Sequence, residues 1–131
     1  MTSPFSRKAE TSVRSARILL EAGDTDGACS RAYYAMYDAA RACLAWAEVE
    51  PVRGEFKTHH GLIAAFSLHL LKPDHFSPEI GRTLQNVQAV RHLADYEVAP
   101  VSQEKAEQAV LAAEAFVATA ASVIGSPFRQ P

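Results

Sequence analysis

Hydrophobic side chains recur every three to four residues along most of the chain, which is the spacing of amphipathic helices. The pattern is longest near the C-terminal end, where apolar positions repeat from Ala106 to Ile124. No segment of the sequence alternates with the two-residue period of a half-buried strand, and no internal repeat is found. The sequence therefore predicts an all-α protein.

Helix-stop and helix-start residues divide this pattern into five helices. Gly23 suits the left-handed position after a helix, and Asp24, Thr58 and Ser102 suit the N-cap positions of later helices. The predicted helices run from about Ser6 to Ala22, Asp24 to Glu48, Thr58 to Pro73, Ser77 to Pro100 and Ser102 to Ile124, with a loop over 49–56 and a frayed tail over 125–131. At 131 residues the chain is expected to form one domain over residues 1–131, with its core within about residues 6–124. Its architecture is predicted to be an up-and-down bundle of four long helices and one shorter helix.

The second helix carries two chemically distinct faces when its residues are projected at about 100° each. The face that can be buried contains Cys29, Tyr33, Met36, Tyr37, Ala40, Cys43, Leu44 and Ala47. A second face aligns Arg31, Tyr34, Asp38 and Arg41. Solvated faces usually carry Glu, Lys and Gln, so this stripe indicates a contact surface. The alternative is an ordinary exposed face with a Tyr34–Asp38 hydrogen bond and an Asp38–Arg41 ion pair.

A third face of the same helix is also apolar and combines Trp46 with Ala35, Ala39 and Ala42. Such a face predicts a covering helix, which belongs either to this chain or to a second copy. The many alanines allow close approach of helices and leave a thin core, which favours dimerisation.

In the fourth helix an arginine occupies a position on the apolar line. Ile80, Leu84 and Val87 are followed on this line by Arg91, and Asp95 lies one turn further on. A guanidinium at the border of a core needs a polar partner. Two interpretations remain, namely a structural Arg91–Asp95 pair and an arginine kept in an interhelical cleft to bind phosphate.

The third helix opens on Lys57, Thr58, His59, His60 and Gly61. Free N–H groups, the helix dipole and these side chains together suit an anion site, and the simpler alternative is a cap beside two surface histidines. No metal site is predicted, because adjacent histidines point about 100° apart on a helix and no third ligand stands at a suitable spacing. The sequence has no phosphate loop and no nucleophile elbow, so the usual enzyme signatures are absent. No cofactor is predicted.

Composition limits the classes of function. A net charge of −2 and a pI of about 6.2 argue against a protein that coats nucleic acid by charge alone, but they allow a local basic patch. No apolar run is expected to be long enough to span a bilayer, and the first residues lack the apolar core of a signal peptide, so we expect a cytoplasmic protein. Cys29 and Cys43 are separated by about 21 Å of helix, too far for a disulfide within one chain.

Three segments carry a family resemblance: residues 31–41, RAYYAMYDAAR; residues 57–61, KTHHG; and residues 91–96, RHLADY. In this order they resemble the short prokaryotic branch of the HEPN domains (higher eukaryotes and prokaryotes nucleotide-binding). The resemblance covers about Ser6 to Val123. It implies a helical bundle that dimerises, often encoded beside a minimal nucleotidyltransferase as a toxin–antitoxin pair. Many members are metal-independent ribonucleases, and others only bind RNA or nucleotide.

Catalytic members of that family place a histidine after the arginine that Arg91 matches, with a spacer of four to six residues. Here those positions hold Tyr96, Glu97 and Val98, and Asp38 stands where the branch usually has a histidine. Cleavage of RNA by its 2′-hydroxyl needs a general base and a group that stabilises the phosphorane. The resemblance leaves the enzyme question open. The candidate catalytic set is Arg91, His59, Asp95 and Tyr96, with His59 as the base and with Lys57 able to assist Arg91.

Two functions are compatible with the sequence. The first is a HEPN-type component of a toxin–antitoxin or defence system. It would bind RNA or nucleotide through Arg31, Tyr34, Lys57 and Arg41, and it would possess or lack ribonuclease activity. The second is a non-catalytic adaptor that binds a partner protein, such as a minimal nucleotidyltransferase, through residues 31–41 and Trp46. A homodimer is the expected assembly.

Overall fold

The computed structural model describes residues 4–49, 58–71, 76–96 and 99–125. Of residues 59, 60, 71, 90 and 93–96 it describes the helical backbone only. The helices are α1 (Pro4–Glu21), α2 (Thr25–Trp46), α3 (His59–Phe66), α4 (Pro78–Tyr96) and α5 (Gln103–Ile124), and a π-helical segment, Ser67–Leu71, continues α3. These described ranges contain no strand, so the predicted all-α bundle is confirmed.

The predicted capping residues occupy the positions expected of them. Gly23 adopts a left-handed φ of 88° after α1, and the Asp24 side chain accepts a hydrogen bond of 2.8 Å from the backbone N–H of Gly27. Thr58 and Ser102 cap α3 and α5 in the same way, each accepting from the N–H three residues later. The predicted loop over 49–56, except Val49, and the predicted tail, except Gly125, lie outside the described residues.

The third helix is less regular than the predicted single helix. It is α-helical for eight residues and then widens into one π turn. A π turn holds more residues than an α turn, so it rotates the positions that follow it. Leu70 is buried together with Phe66 and Leu62, which lie four and eight residues before it, and Leu68 is 52% exposed. The three-and-four periodicity of the sequence gave no sign of this turn.

The core is built around α2, which is buried on several sides by helices of the same chain. Ala35, Ala39 and Ala42 are at most 2% exposed, so this chain itself covers the third apolar face. Trp46, at the end of that face, remains 41% exposed. The aromatic part of the core joins three elements, because the Phe66 ring lies 5.1 Å from that of Phe76 and 5.6 Å from that of Phe116.

Polar contacts fix how α1, α2 and α5 run relative to one another. The Arg41 guanidinium, late in α2, lies 4.3 Å from the Phe5 ring centroid at the start of α1, so these two helices are antiparallel. The Val101 N–H, just before α5, donates to Asp26 at the start of α2 over 2.9 Å. The helices α2 and α5 therefore begin at the same end of the bundle.

The prediction that no segment is long enough and apolar enough to span a bilayer is wrong for α5. By length and composition alone, Gln103–Ile124 meets both criteria. Its apolar side chains include eight buried ones, which face the bundle: Ala106, Ala109, Val110, Ala113, Phe116, Val117, Ala120 and Ala121. Such a helix is also the ordinary core helix of a bundle.

Cys29 and Cys43 are both buried as free thiols on the apolar face of α2. Burial raises the pKa of Cys29 to about 11 and that of Cys43 to about 12. Both thiols therefore act as small apolar side chains of the core, as the sequence pattern predicted.

Candidate functional site

A half-buried arginine of α4 lies against two consecutive tyrosines of α2. The central guanidinium carbon of Arg91 is 5.4 Å from the ring centroids of both Tyr33 and Tyr34. Its Nη2 donates a hydrogen bond of 3.2 Å to the Tyr34 hydroxyl oxygen. The Arg91 side chain therefore joins α4 to α2.

The two tyrosines have different environments although they are neighbours in sequence. Tyr33 is 1% exposed, and burial raises the pKa of its hydroxyl even though Arg91 acts in the opposite direction. Tyr34 is only half-buried, and its ring packs edge-on against that of Tyr33 with centroids 5.6 Å apart. Tyr33 is thus part of the core, whereas Tyr34 is accessible to a ligand.

A second guanidinium lies on Tyr34 from its own helix. The Arg31 guanidinium carbon is 5.1 Å from the Tyr34 ring centroid, one helical turn before it. Two arginines from two helices thus contact one accessible ring. Planar guanidinium groups with several donors suit phosphate oxygens, and the ring can stack with a base.

Beside this cluster an open groove of about 440 Å³ lies on the surface between α1 and α2. It is lined by Arg7, Lys8, Thr11 and Ser12 of α1 and by Arg31, Tyr34 and Asp38 of α2. The α1 residues were not predicted as site residues, because Arg7, Lys8 and Thr11 look like an ordinary solvated helix face in the sequence. The packing of α1 against α2 brings them beside the predicted stripe.

Asp38 is a half-buried carboxylate in this groove. Burial raises its pKa above the ordinary value of 3.8, and the positive charges of Lys8, Arg41 and Arg31 oppose that rise. Within the part of the chain that the structure describes, no ion pair joins Asp38 to Arg41 and no hydrogen bond joins it to Tyr34. The predicted exposed face with those two contacts is therefore wrong. The Tyr34 hydroxyl accepts from Arg91 instead, and Arg41 lies on the Phe5 ring.

The remaining predicted site residues are placed only in part. Arg41 is half-buried against α1 and does not line the groove. Lys57 lies outside the described residues. For His59 in α3 and for Asp95 and Tyr96 in α4, only the helical backbone is described. The predicted Arg91–Asp95 pair therefore stays a prediction. Among the side chains that the structure describes, no group of three His, Cys, Asp or Glu residues is arranged to hold a metal ion.

The chain matches the model of a known protein family. The family model of the HEPN domain matches residues 4–123. The chain belongs to the HEPN domain family. This match spans α1 to α4 and all but the last residue of α5, and it includes both the Arg91–Tyr34 cluster and the groove beside it.

Three curated relatives extend the comparison. The chain is 32% identical over 109 residues, 83% of its length and 78% of the relative's, to "Putative toxin MJ0605" of Methanocaldococcus jannaschii. It is 37% identical over 89 residues to "UPF0332 protein glr0978" of Gloeobacter violaceus, covering 68% of this chain and 67% of that one. It is also 29% identical over 101 residues to "Putative toxin MJ0142" of the same archaeon, covering 76% and 65%. Two of these three relatives thus carry the word toxin in their names.

Proposed function

We propose that this HEPN protein is the toxin-type component of a toxin–antitoxin or defence system and that it binds RNA at Arg91, Tyr34 and Arg31. The observation that carries the proposal is the position of Arg91, whose guanidinium donates to the accessible Tyr34 hydroxyl beside a second arginine. A phosphate held there would accept hydrogen bonds from a planar donor set and would be attracted by two positive charges. The names of two relatives support the assignment as a toxin.

The finer activity that we propose is metal-independent cleavage of RNA. The 2′-oxygen attacks the adjacent phosphorus, a general base removes its proton, and the bond to the 5′-oxygen breaks as that oxygen takes up a proton. Arg91 stabilises the negative charge of the phosphorane, and Lys57 assists it. His59 is the candidate base, and Asp95 and Tyr96 are the candidate residues that orient the other two.

The proposed setting follows from the same family. We propose a homodimer that acts in the cytoplasm on RNA and that is controlled by a partner protein, such as a minimal nucleotidyltransferase. An adaptor without catalytic activity is the alternative, and the experiment below separates the two.

The test is incubation of purified protein with total RNA in EDTA, comparing wild type with Arg91→Ala and His59→Ala. Arg82→Ala is the matched control, because Arg82 is an exposed arginine of the same helix. We expect cleavage by wild type and by the control. Cleavage should fall by a factor of about 100 or more in the Arg91 variant, the usual cost of a lost electrostatic stabiliser of the transition state. It should fall by about 100-fold or more in the His59 variant, the usual contribution of a general base.

The outcomes separate the levels of the proposal. If wild type binds RNA through Arg91 without cleaving it, the proposed ribonuclease activity is wrong and the proposed RNA-binding function stands. If RNA neither binds nor is cleaved, the adaptor is the better description. Loss of activity in the Arg91 variant should be accompanied by an unchanged helical circular dichroism spectrum, which excludes unfolding as the cause.

A further inference from the structure

The groove between α1 and α2 has a charge opposite in sign to that of the whole protein. Three cations, Arg7, Lys8 and Arg31, and one carboxylate, Asp38, line it, so the local excess is two positive charges. The protein as a whole has a net charge of −2. A concave surface with such an excess attracts anions even when the net charge does not.

Two hydroxyl side chains in the groove suit the same class of ligand. Ser12 lines the groove and is 8% exposed. A hydroxyl can donate a hydrogen bond to a phosphate oxygen. Thr11 adds a second hydroxyl at the exposed rim of the groove.

The groove and the Arg91 cluster are continuous, because they share side chains. Tyr34 lines the groove and accepts the hydrogen bond from Arg91, and Arg31 lines the groove and lies on the Tyr34 ring. An anion in the groove and an anion at Arg91 would therefore be neighbours, with an aromatic ring between the two sets of cations. In a single strand of nucleic acid two successive phosphates flank one nucleoside, whose base can stack on an aromatic ring.

We propose that the α1–α2 groove binds a second phosphate of the same strand, so that the ligand is a single-stranded oligonucleotide and not a mononucleotide. The inference rests on the proposed function, because it extends the RNA site at Arg91. Arg7 and Lys8 attract the phosphate, Ser12 donates to one of its oxygens, and Tyr34 stacks with a base. Asp38 weakens the site, since its carboxylate repels the same phosphate. An acidic peptide would satisfy the cations but would leave the Tyr34 ring unused.

The experiment measures binding of a fluorescent 2′-O-methyl RNA of roughly eight nucleotides, within the usual size of single-strand sites. Methylation removes the attacking hydroxyl, so that binding is measured without cleavage. The double variant Arg7→Ala/Lys8→Ala is compared with Arg14→Ala/Arg82→Ala, which loses the same charge from α1 and α4 outside the groove. Arg91→Ala reports on the proposed function, and AMP and oligoglutamate serve as competing ligands.

We expect the groove variant to bind the RNA about tenfold more weakly at low salt, and its slope of log K against log salt to fall by about 0.7, the value for one lost phosphate contact on a single strand. The control variant should bind like wild type within about threefold, because exposed charges at a distance are screened by salt. Asp38→Asn should bind about fivefold more tightly, because the substitution removes a repulsion of the size expected between close charges in water. Binding of AMP should be the same in wild type and in the groove variant.

Equal RNA binding by the groove and control variants would overturn the inference, and loss of binding in Arg91→Ala would then leave the proposed function standing. If the groove variant alone lost binding and Arg91→Ala bound normally, the groove would stand and the proposed function would fall. If AMP binding depended on Arg7 and Lys8, the groove would be a mononucleotide site, and the proposal of an oligonucleotide ligand would be overturned. Competition by oligoglutamate as strong as that by RNA would overturn it in favour of an acidic peptide.

Discussion

Single residues in this protein have roles that depend on burial more than on their type. Tyr33 and Tyr34 are identical side chains one position apart, yet one belongs to the core and the other faces solvent and carries the hydrogen bond to Arg91. Asp38, on the same helix, keeps its carboxylate half-buried, and burial raises its pKa more than the charges of Lys8, Arg41 and Arg31 lower it. A charge in such a place costs stability, and this cost can be measured.

Asp38→Asn should stabilise the protein at neutral pH. Because burial raises the pKa of Asp38 in the folded state, the folded protein holds its proton more tightly than the unfolded chain does. Stability is therefore lost as pH rises from the ordinary value of 3.8 through the raised pKa. Urea unfolding of both proteins between pH 4 and pH 7.5 should give a free-energy difference in favour of the variant that grows with pH and then becomes constant. A difference independent of pH would contradict this account.

At the scale of helices, the sequence predicts starts and stops well because they are determined locally. Gly23, Asp24, Thr58 and Ser102 act through their own backbone preferences and through N–H groups three residues away. The π turn after Phe66 was not predictable in this way, because the spacing of the buried residues Leu62, Phe66 and Leu70 fits a continuous α-helix equally well.

The residues of the candidate site also differ in whether the local sequence reveals them. Arg91 is recognisable because it interrupts the apolar line of α4, and Arg31 and Tyr34 because they form a stripe on α2. Arg7 and Lys8 carry no such signal, since a polar helix face is the same in sequence whether it meets water or lines a groove. The crossing of α1 over α2 creates their position, and helix packing angles are not encoded in local patterns.

The N-cap of α2 allows a direct test at this scale. Asp24→Ala should lower the free energy of unfolding by about 1 kcal/mol, because the N–H of Gly27 loses its acceptor. Asp24→Asn keeps a side-chain oxygen and should cost only a few tenths of that, so it is the matched control. Thermal or urea unfolding measures both. Equal losses in the two variants would mean that the charge, and not the cap, stabilises this turn.

At the scale of the whole molecule, contacts between elements distant in sequence join the ends of the chain. Arg17 of α1 donates through two nitrogens to the Glu114 carboxylate of α5, one of them over 3.1 Å. The Val101–Asp26 hydrogen bond attaches the start of α5 to α2. The Phe66, Phe76 and Phe116 rings unite α3, the segment before α4, and α5. The bundle is thus expected to unfold as one unit.

Phe116→Ala should destabilise the whole bundle and not a single helix. The substitution removes a ring with no exposed surface and leaves a cavity beside Phe66 and Phe76, at a cost of about 3–5 kcal/mol. Leu111→Ala, on the exposed side of the same helix, should change stability by about 0.5 kcal/mol or less. Circular dichroism and tryptophan fluorescence of Trp46 should follow one common unfolding transition. Two separate transitions would show that α5 unfolds independently.

The contact of Arg91 with both a core ring and a surface ring limits how the protein can change over generations. A mutation that repacks the interior around Tyr33 also moves the guanidinium that meets the ligand, and a mutation selected for a new ligand at Tyr34 also disturbs the interior. Stability and ligand preference are therefore inherited together at this point of the molecule. The side chains of the groove residues Arg7 and Lys8 are exposed, so their substitution disturbs the interior less. Divergence among related proteins should therefore be faster at the groove than at Arg91 and its two tyrosines.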